Sequence, residues 1–192
     1  VLALLLLFVP CACLLRLVDV LSCRELQMCI RDTPKTVPVI LALLEARGIE
    51  LSEVKFVIPT HVHLDHAGGV GGLMQALPAA TLLIHPRGAR HMIDPSKLKA
   101  GATAVYGEDA FAKVYGDIIP VVAQRVREMH EGDHVMVGER RLDFYDAPGH
   151  ARPHFCVYGS LSAGIFTGDT FGLSYPPLTT EKGPFILPTT TP

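Results

Sequence analysis

The feature that most narrows what this chain can become is the string His61-Val62-His63-Leu64-Asp65-His66, an H-x-H-x-D-H pattern. Side chains alternate along extended backbone, so His61 and His63 point the same way and can share one metal, while Asp65 and His66 begin a turn into a helix and face a second. Two adjacent metal sites are implied. Imidazole and carboxylate suit zinc and iron, and the lack of nearby thiolates argues against a structural Cys-rich site. At this chain's own His and Asp frequencies, the string would arise by accident roughly once in a thousand chains of this length. The bland alternative has the histidines capping the glycine-rich helix that follows, or bonding to backbone carbonyls.

The flanking residues place the string. Lys55 to Pro59 (KFVIP) is a short apolar run that predicts a buried strand leading directly into it, so the histidines sit on a strand-to-helix turn. Upstream, Val37, Ile40, Leu41 and Leu44 fall at helical spacing, with Pro34 near the start and Gly48 past the end. Downstream, Val70, Leu73, Met74 and Leu77 repeat that spacing, but Gly68, Gly69, Gly71 and Gly72 weaken a free helix by up to ~1 kcal/mol each. Close packing or a metal must hold it. Thr81 to His85 predicts another strand, residues 86–116 read as short helices forming a cap beside the site, and from Val126 the pattern turns to strands. Two of those strands deliver further ligand types at their ends. His150 closes Ala147-Pro148-Gly149-His150 after RLDFYD, and Asp169 closes Phe166-Thr167-Gly168-Asp169 after AGIF. Either alone is a common turn; in this order after H-x-H-x-D-H they form one constellation.

The constellation resembles the metallo-β-lactamase superfamily over roughly Thr33 to Asp169. The resemblance implies an α/β chain folded as a four-layer αβ/βα sandwich. By it, His61, His63 and His150 bind one metal, Asp65 and His66 the other, and Asp169 bridges both. Two zinc ions are the implied cofactors, with iron as the alternative. A further histidine normally completes the second site from a later loop, and none follows Asp169 here. The implied activity is a metallo-hydrolase in which a metal-bound hydroxide, oriented by Asp65, attacks an activated ester, thioester or lactone. The glyoxalase II branch is similar through His150 and Asp169, but its basic C-G-R element is replaced by Phe171-Gly172-Leu173-Ser174-Tyr175-Pro176. A second reading is a non-haem diiron protein that binds or reduces oxygen or nitric oxide. Such proteins show H-x-E-x-D-H, and His63 stands where their Glu falls. A third is a non-catalytic metal-binding remnant.

Partners follow from charge. The net charge is -2 and no run of like charge occurs, so the expected partner is a small-molecule substrate, with no nucleic acid and no membrane, and a homodimer is the oligomer to test for. Residues 1–32 read as a segment apart, leader-like or foreign adaptor sequence, and residues 33–192 as a partial domain of the fold, short at both ends. The apolar run VLALLLLFVPCACLL suits a signal-peptide core, part of a membrane span or a buried helix. Five cysteines without a paired pattern suggest a reducing, cytoplasmic setting. Among the other histidines, His154 either supports the site or simply opens a strand, while His85 and His91 read as solvated turn and helix surface. Tyr106, Tyr115 and Tyr175 are candidates to line the cleft, and Cys156 reads as a small core residue.

Overall fold

The computed structural model describes residues 33–170 and 179–183 with their side chains, and the backbone of Ala3–Phe8, Leu26–Cys29, Leu173–Ser174 and Ile186–Leu187. Five strands form one sheet in the order β2-β1-β3-β4-β5: β1 (Ala3–Phe8), β2 (Leu26–Cys29), β3 (Val54–Pro59), β4 (Thr81–Ile84) and β5 (Val126–Glu128). All its pairings are parallel. The N-terminal apolar run thus contributes extended backbone at residues 3–8, where a helix was one expectation. A strand flanked on both sides in a parallel sheet reads as an unbroken apolar run with no period, which hides it from pattern analysis. Most of segment 1–32 lies outside the described residues.

A second sheet is antiparallel and sequential: β6 (His134–Val137), β7 (Arg140–Asp146), β8 (Phe155–Gly159) and β9 (Gly164–Phe166). A short β10 (Leu173–Ser174) pairs antiparallel with β11 (Ile186–Leu187).

Alternation along β3 and β4 shows how the layers stack. Val57, Leu82 and Ile84 pack with Ile40 and Leu44 of α1 (Val37–Ala46), Leu73 of α3 (Val70–Ala76) and Met92 of α4 (Pro86–Ile93). Ile58 and Leu83, one residue out of phase, pack with Val135, Leu142, Phe144 and Phe155 of the second sheet. Both faces of the parallel sheet are therefore covered, as such sheets require. The outer face of the second sheet leaves Met136, Tyr145 and Ile165 open to solvent. Helices, parallel sheet and antiparallel sheet are three layers of the expected sandwich.

The glycines of α3 answer to close packing. A Cβ on Gly71 would lie 1.9 Å from the Ile119 carbonyl oxygen, so only glycine lets the helix approach that segment. At its C-terminal end, Arg125 donates to the carbonyls of Met74, Leu77 and Ala80, adding side-chain donors where the helix runs out of its own. After α4 come α5 (Ser96–Tyr106) and α6 (Glu108–Val114), the predicted cap. Phe111 and Ile118 bury against Leu64 of the histidine string, which seats this lobe beside the site. Tyr115 meets Phe111 and Tyr106 in tilted ring contacts within the lobe, Tyr106 stays largely exposed, and Tyr175 lies outside the described residues. Among the described residues, no helix is long and apolar enough to cross a membrane.

Candidate metal centre

β3 ends at Pro59, and the chain leaves the C-terminal edge of the parallel sheet through Thr60 and His61, both fully buried. Ligands gather at that edge in α/β sheets, because the loops leaving the strands converge there. His63 precedes the single turn α2 (Leu64–Ala67), which carries Asp65 and His66. The second sheet meets the same spot: the Phe155 amide, at the start of β8, donates to the Thr60 carbonyl at 3.1 Å. That bond brings the β7–β8 loop bearing His150, and the loop after β9 bearing Asp169, over the histidine turn.

The six residues predicted as ligands fall together. His61, His63 and His150 each offer a ligand atom within 4.8 Å of the others, and so do His61, His66 and Asp169. His150 Nε2 lies 3.0 Å from His63 Nδ1. Asp169 Oδ2 stands between the two groups, 3.3 Å from His66 Nε2 and 3.5 Å from His150 Nε2. Asp65 belongs to neither trio but sits at their margin, its Oδ2 3.8 Å from His66 Nε2 and its side chain 31% exposed. The cluster thus has a buried floor, His61 and His66, and an open mouth at Asp65.

Burial decides the charge state. It pushes His61 far below the ordinary imidazole range, and repulsion from His66 and His63 adds to this. His63 is lowered by burial and then by His150. Burial tends to raise Asp169, but the hydrogen bond and charge of His66, followed by His150, outweigh it and hold the carboxyl low. His61 and His63 are thus held toward neutral imidazole and Asp169 toward carboxylate, the forms that bind a divalent cation. The buried nitrogens His61 Nε2 and His66 Nδ1 have no hydrogen-bond partner, and an orphaned buried nitrogen in a ring of other donors costs stability unless something occupies the space between them. These residues fit a metal ion.

Three residues that orient the ligands carried little or no signal in sequence. Thr60 Oγ1 meets His61 Nδ1 at 3.1 Å, which leaves Nε2 as the free nitrogen aimed into the cluster. His154 is fully buried, stacks on His61 with ring centroids 4.8 Å apart, and is pushed down to about 4 by burial and then by His150. Its Nδ1 lies 3.1 Å from Thr170 Oγ1, which also donates to the Ala147 carbonyl. His154 therefore backs the site as well as opening β8. Gly168 makes this approach feasible. It has φ +52°, and a Cβ there would come within 2.5 Å of Thr60 Oγ1 and 2.8 Å of His154 Nε2.

His85 corrects the expectation of a solvated turn. It is buried, its Nδ1 accepts from the Arg87 amide as the N-cap of α4, and its Nε2 lies 3.4 Å from Asp146 Oδ1. The strand end that delivers it tucks under the end of β7, a contact with no local sequence signature. His91 is partly exposed on α4, accepting from Arg90 Nε at 3.3 Å. Cys156 is a buried core residue, its thiol raised by burial.

Two stacked sheets with helices on one flank, and histidine and aspartate ligand types gathered at strand ends, define a metal-centre protein of the αβ/βα class. A model of the metallo-beta-lactamase superfamily matches residues 17–189, and the chain belongs to that superfamily. It is 28% identical over 147 residues to the metallo-beta-lactamase fold-containing protein ST1585 of Sulfurisphaera tokodaii, covering 74% of this chain and 51% of that protein. To a hydroxyacylglutathione hydrolase of Rhodopseudomonas palustris it is 28% identical over 139 residues, covering 72% and 41%. Among solved structures, the metallo-β-lactamase MIM-2 superposes with a TM-score of 0.51 at 27% identity, over 68% of this chain and 44% of that one. A Cronobacter sakazakii metallo-β-lactamase reaches 0.53 at 22% identity, over 72% and 49%, and shows the shared fold. The chain spans about half the length of the curated relatives it matches, or less.

Proposed function

We propose that the chain is the catalytic core of a metal-dependent hydrolase acting on an activated ester, thioester or lactone. The observation that carries this reading is the meeting of two donor trios, His61, His63, His150 and His61, His66, Asp169, at a buried His61 whose Nε2 is unpartnered. Three protein ligands per ion leave coordination positions open, the arrangement of catalytic rather than structural zinc. When bound, two zinc ions lower the pKa of coordinated water to about 7 and polarise a carbonyl oxygen.

The chain's own residues do the rest. His61, His63 and His150 would present one set of ligands; His66 and Asp169 would present the second, and Asp169, which reaches both His66 and His150, would serve both. Asp65 at the open mouth is positioned to accept a proton on its carboxylate and to orient the attacking water. Thr60, His154 and Thr170 fix ring orientation, which commonly affects metal affinity or activity by about 10–100-fold. Leu64, inside the histidine string, is buried against Phe111 and Ile118, which anchors the turn that carries Asp65 and His66. Relatives named hydroxyacylglutathione hydrolase support a thioester as the first substrate class to try.

The test pairs metal analysis with a panel of thioesters, lactones and phosphodiesters, on the parent chain and on Asp169→Ala. Zinc bound by the parent, turnover of a thioester or lactone, and joint loss of both in the variant are expected. Iron with visible absorbance and no hydrolysis would replace this reading with the diiron one, and full activity in Asp169→Ala would remove the bridging role.

A further inference from the structure

A cleft of about 980 Å³ opens beside the histidine cluster, between the first turns of α4, with Arg87, Arg90 and His91, and the loop 148–153, with Pro148, Arg152 and Pro153. Arg87 and Arg90 are three residues apart and so share a helix face, and Arg152 meets them from the opposite wall. None of the three guanidinium groups has a carboxylate partner among the described residues. In a chain of net charge -2, three unneutralised arginines around one cavity are a local concentration of positive charge.

The walls are held in place. His85 caps α4 and lies 3.4 Å from Asp146, the last residue of β7, so the helix start and the root of the loop are tied together. Pro86 at the first position of α4, with Pro148 and Pro153 in the loop, restricts the backbone on both sides. Moreover, the loop that forms one wall is the loop that carries His150, with Pro148 two residues before it and Arg152 two after. A molecule lying in the cleft therefore shares a wall with the histidine cluster.

We infer that this cleft binds an oxyanion, the carboxylate or phosphate at the far end of a substrate whose acyl carbon reaches the histidine cluster. Guanidinium forks match both groups with paired N–H donors, and although Arg87, Arg90 and Arg152 are each exposed, three of them lining one cleft with apolar walls hold an anion where a single exposed pair would not. The attachment of the anion to an acyl group rests on the hydrolase reading; the anion site itself rests only on the cleft.

Two measurements separate these. In the first, phenylglyoxal modification of the zinc-supplemented protein is mapped by mass spectrometry, with and without inorganic phosphate or succinate. Arg87, Arg90 and Arg152 should be protected, while Arg47, exposed at the end of α1, should not. In the second, kcat/KM is compared for acetyl thioesters of N-acetylcysteamine, 3-mercaptopropionate and phosphopantetheine, which end in a neutral group, a carboxylate and a phosphate. One anionic thioester should be preferred by about tenfold or more, the scale of one charge-assisted contact, and which one names the anion. The preference should vanish in Arg87→Ala/Arg152→Ala, persist in Arg47→Ala, and shrink as salt is raised. Protection without hydrolysis of any thioester would keep the anion site and remove the hydrolase reading. Hydrolysis with no protection would overturn the anion site and leave that reading standing, and protection with equal rates for all three thioesters would overturn the placing of the anion on the substrate.

Discussion

Replacing Gly168 by alanine tests whether the floor of the centre is as tight as its geometry indicates. The new Cβ would stand 2.5 Å from Thr60 Oγ1, 2.8 Å from His154 Nε2 and 2.9 Å from Thr60 Cβ. Thr60 and His154 are fully buried, so neither can swing aside freely. Two costs add: about 1–2 kcal/mol for a non-glycine residue at φ +52°, and about 1–3 kcal/mol for overpacking. The expected loss is ~2–5 kcal/mol, a large share of a typical domain's stability of about 5–15 kcal/mol. Gly132→Ala is the matched control, since φ is +81° there but nothing lies within 4 Å of the added carbon. It should lose only the first, conformational part. Urea unfolding in chelator gives both losses, and zinc titration of the folded proteins reads the site. Because Asp169 follows Gly168 directly, the displacement should also weaken zinc binding in Gly168→Ala and leave it unchanged in Gly132→Ala. Equal losses in the two variants, or wild-type zinc affinity in Gly168→Ala, would refute the packing argument.

Further outcomes are expected at residues that support the centre. His154 has a folded pKa of about 4 against an ordinary 6.5, so below pH 6.5 the unfolded chain binds the extra proton and the folded chain does not. Its contribution to stability is complete above that pH and is lost as pH falls toward about 4, at up to ~1.4 kcal/mol per pH unit; in chelator, His154→Gln should flatten the acid limb of the stability curve, and an unchanged slope would contradict this. Thr170→Val removes the hydroxyl that holds His154 and should weaken zinc binding by about tenfold or more while leaving far-UV circular dichroism intact. Arg125→Met strips its donors from the carbonyls of Met74, Leu77 and Ala80 and should cost about 1–3 kcal/mol in urea unfolding with no change in zinc stoichiometry, because the lesion sits at the far end of α3.

What could be read in advance, and what could not, divides along one physical line. The ligand types of H-x-H-x-D-H lie within a single turn of chain, so alternation and the strand before it suffice to aim them, and His150 and Asp169 show themselves by ending strands. The glycines of α3 were legible as a demand for contact without naming the partner, which the fold supplies in Ile119. Thr60, Thr170 and His85 had no such local marker, and His154, four residues after His150, left a supporting role and a strand start equally open. Each does its work through a residue on another element: His154 meets His61 only because β8 starts where the Thr60 carbonyl can accept its first amide, and His85 is buried only because β4 and β7 end side by side. The same distinction governs β1, whose apolar run has no period because a strand enclosed by parallel neighbours needs none. Local periodicity records which face of an element is buried, whereas orientation of a ligand ring depends on the register between elements. A single chain can therefore disclose what its metal-binding groups are, while what turns and neutralises them becomes visible only when the two sheets are brought together.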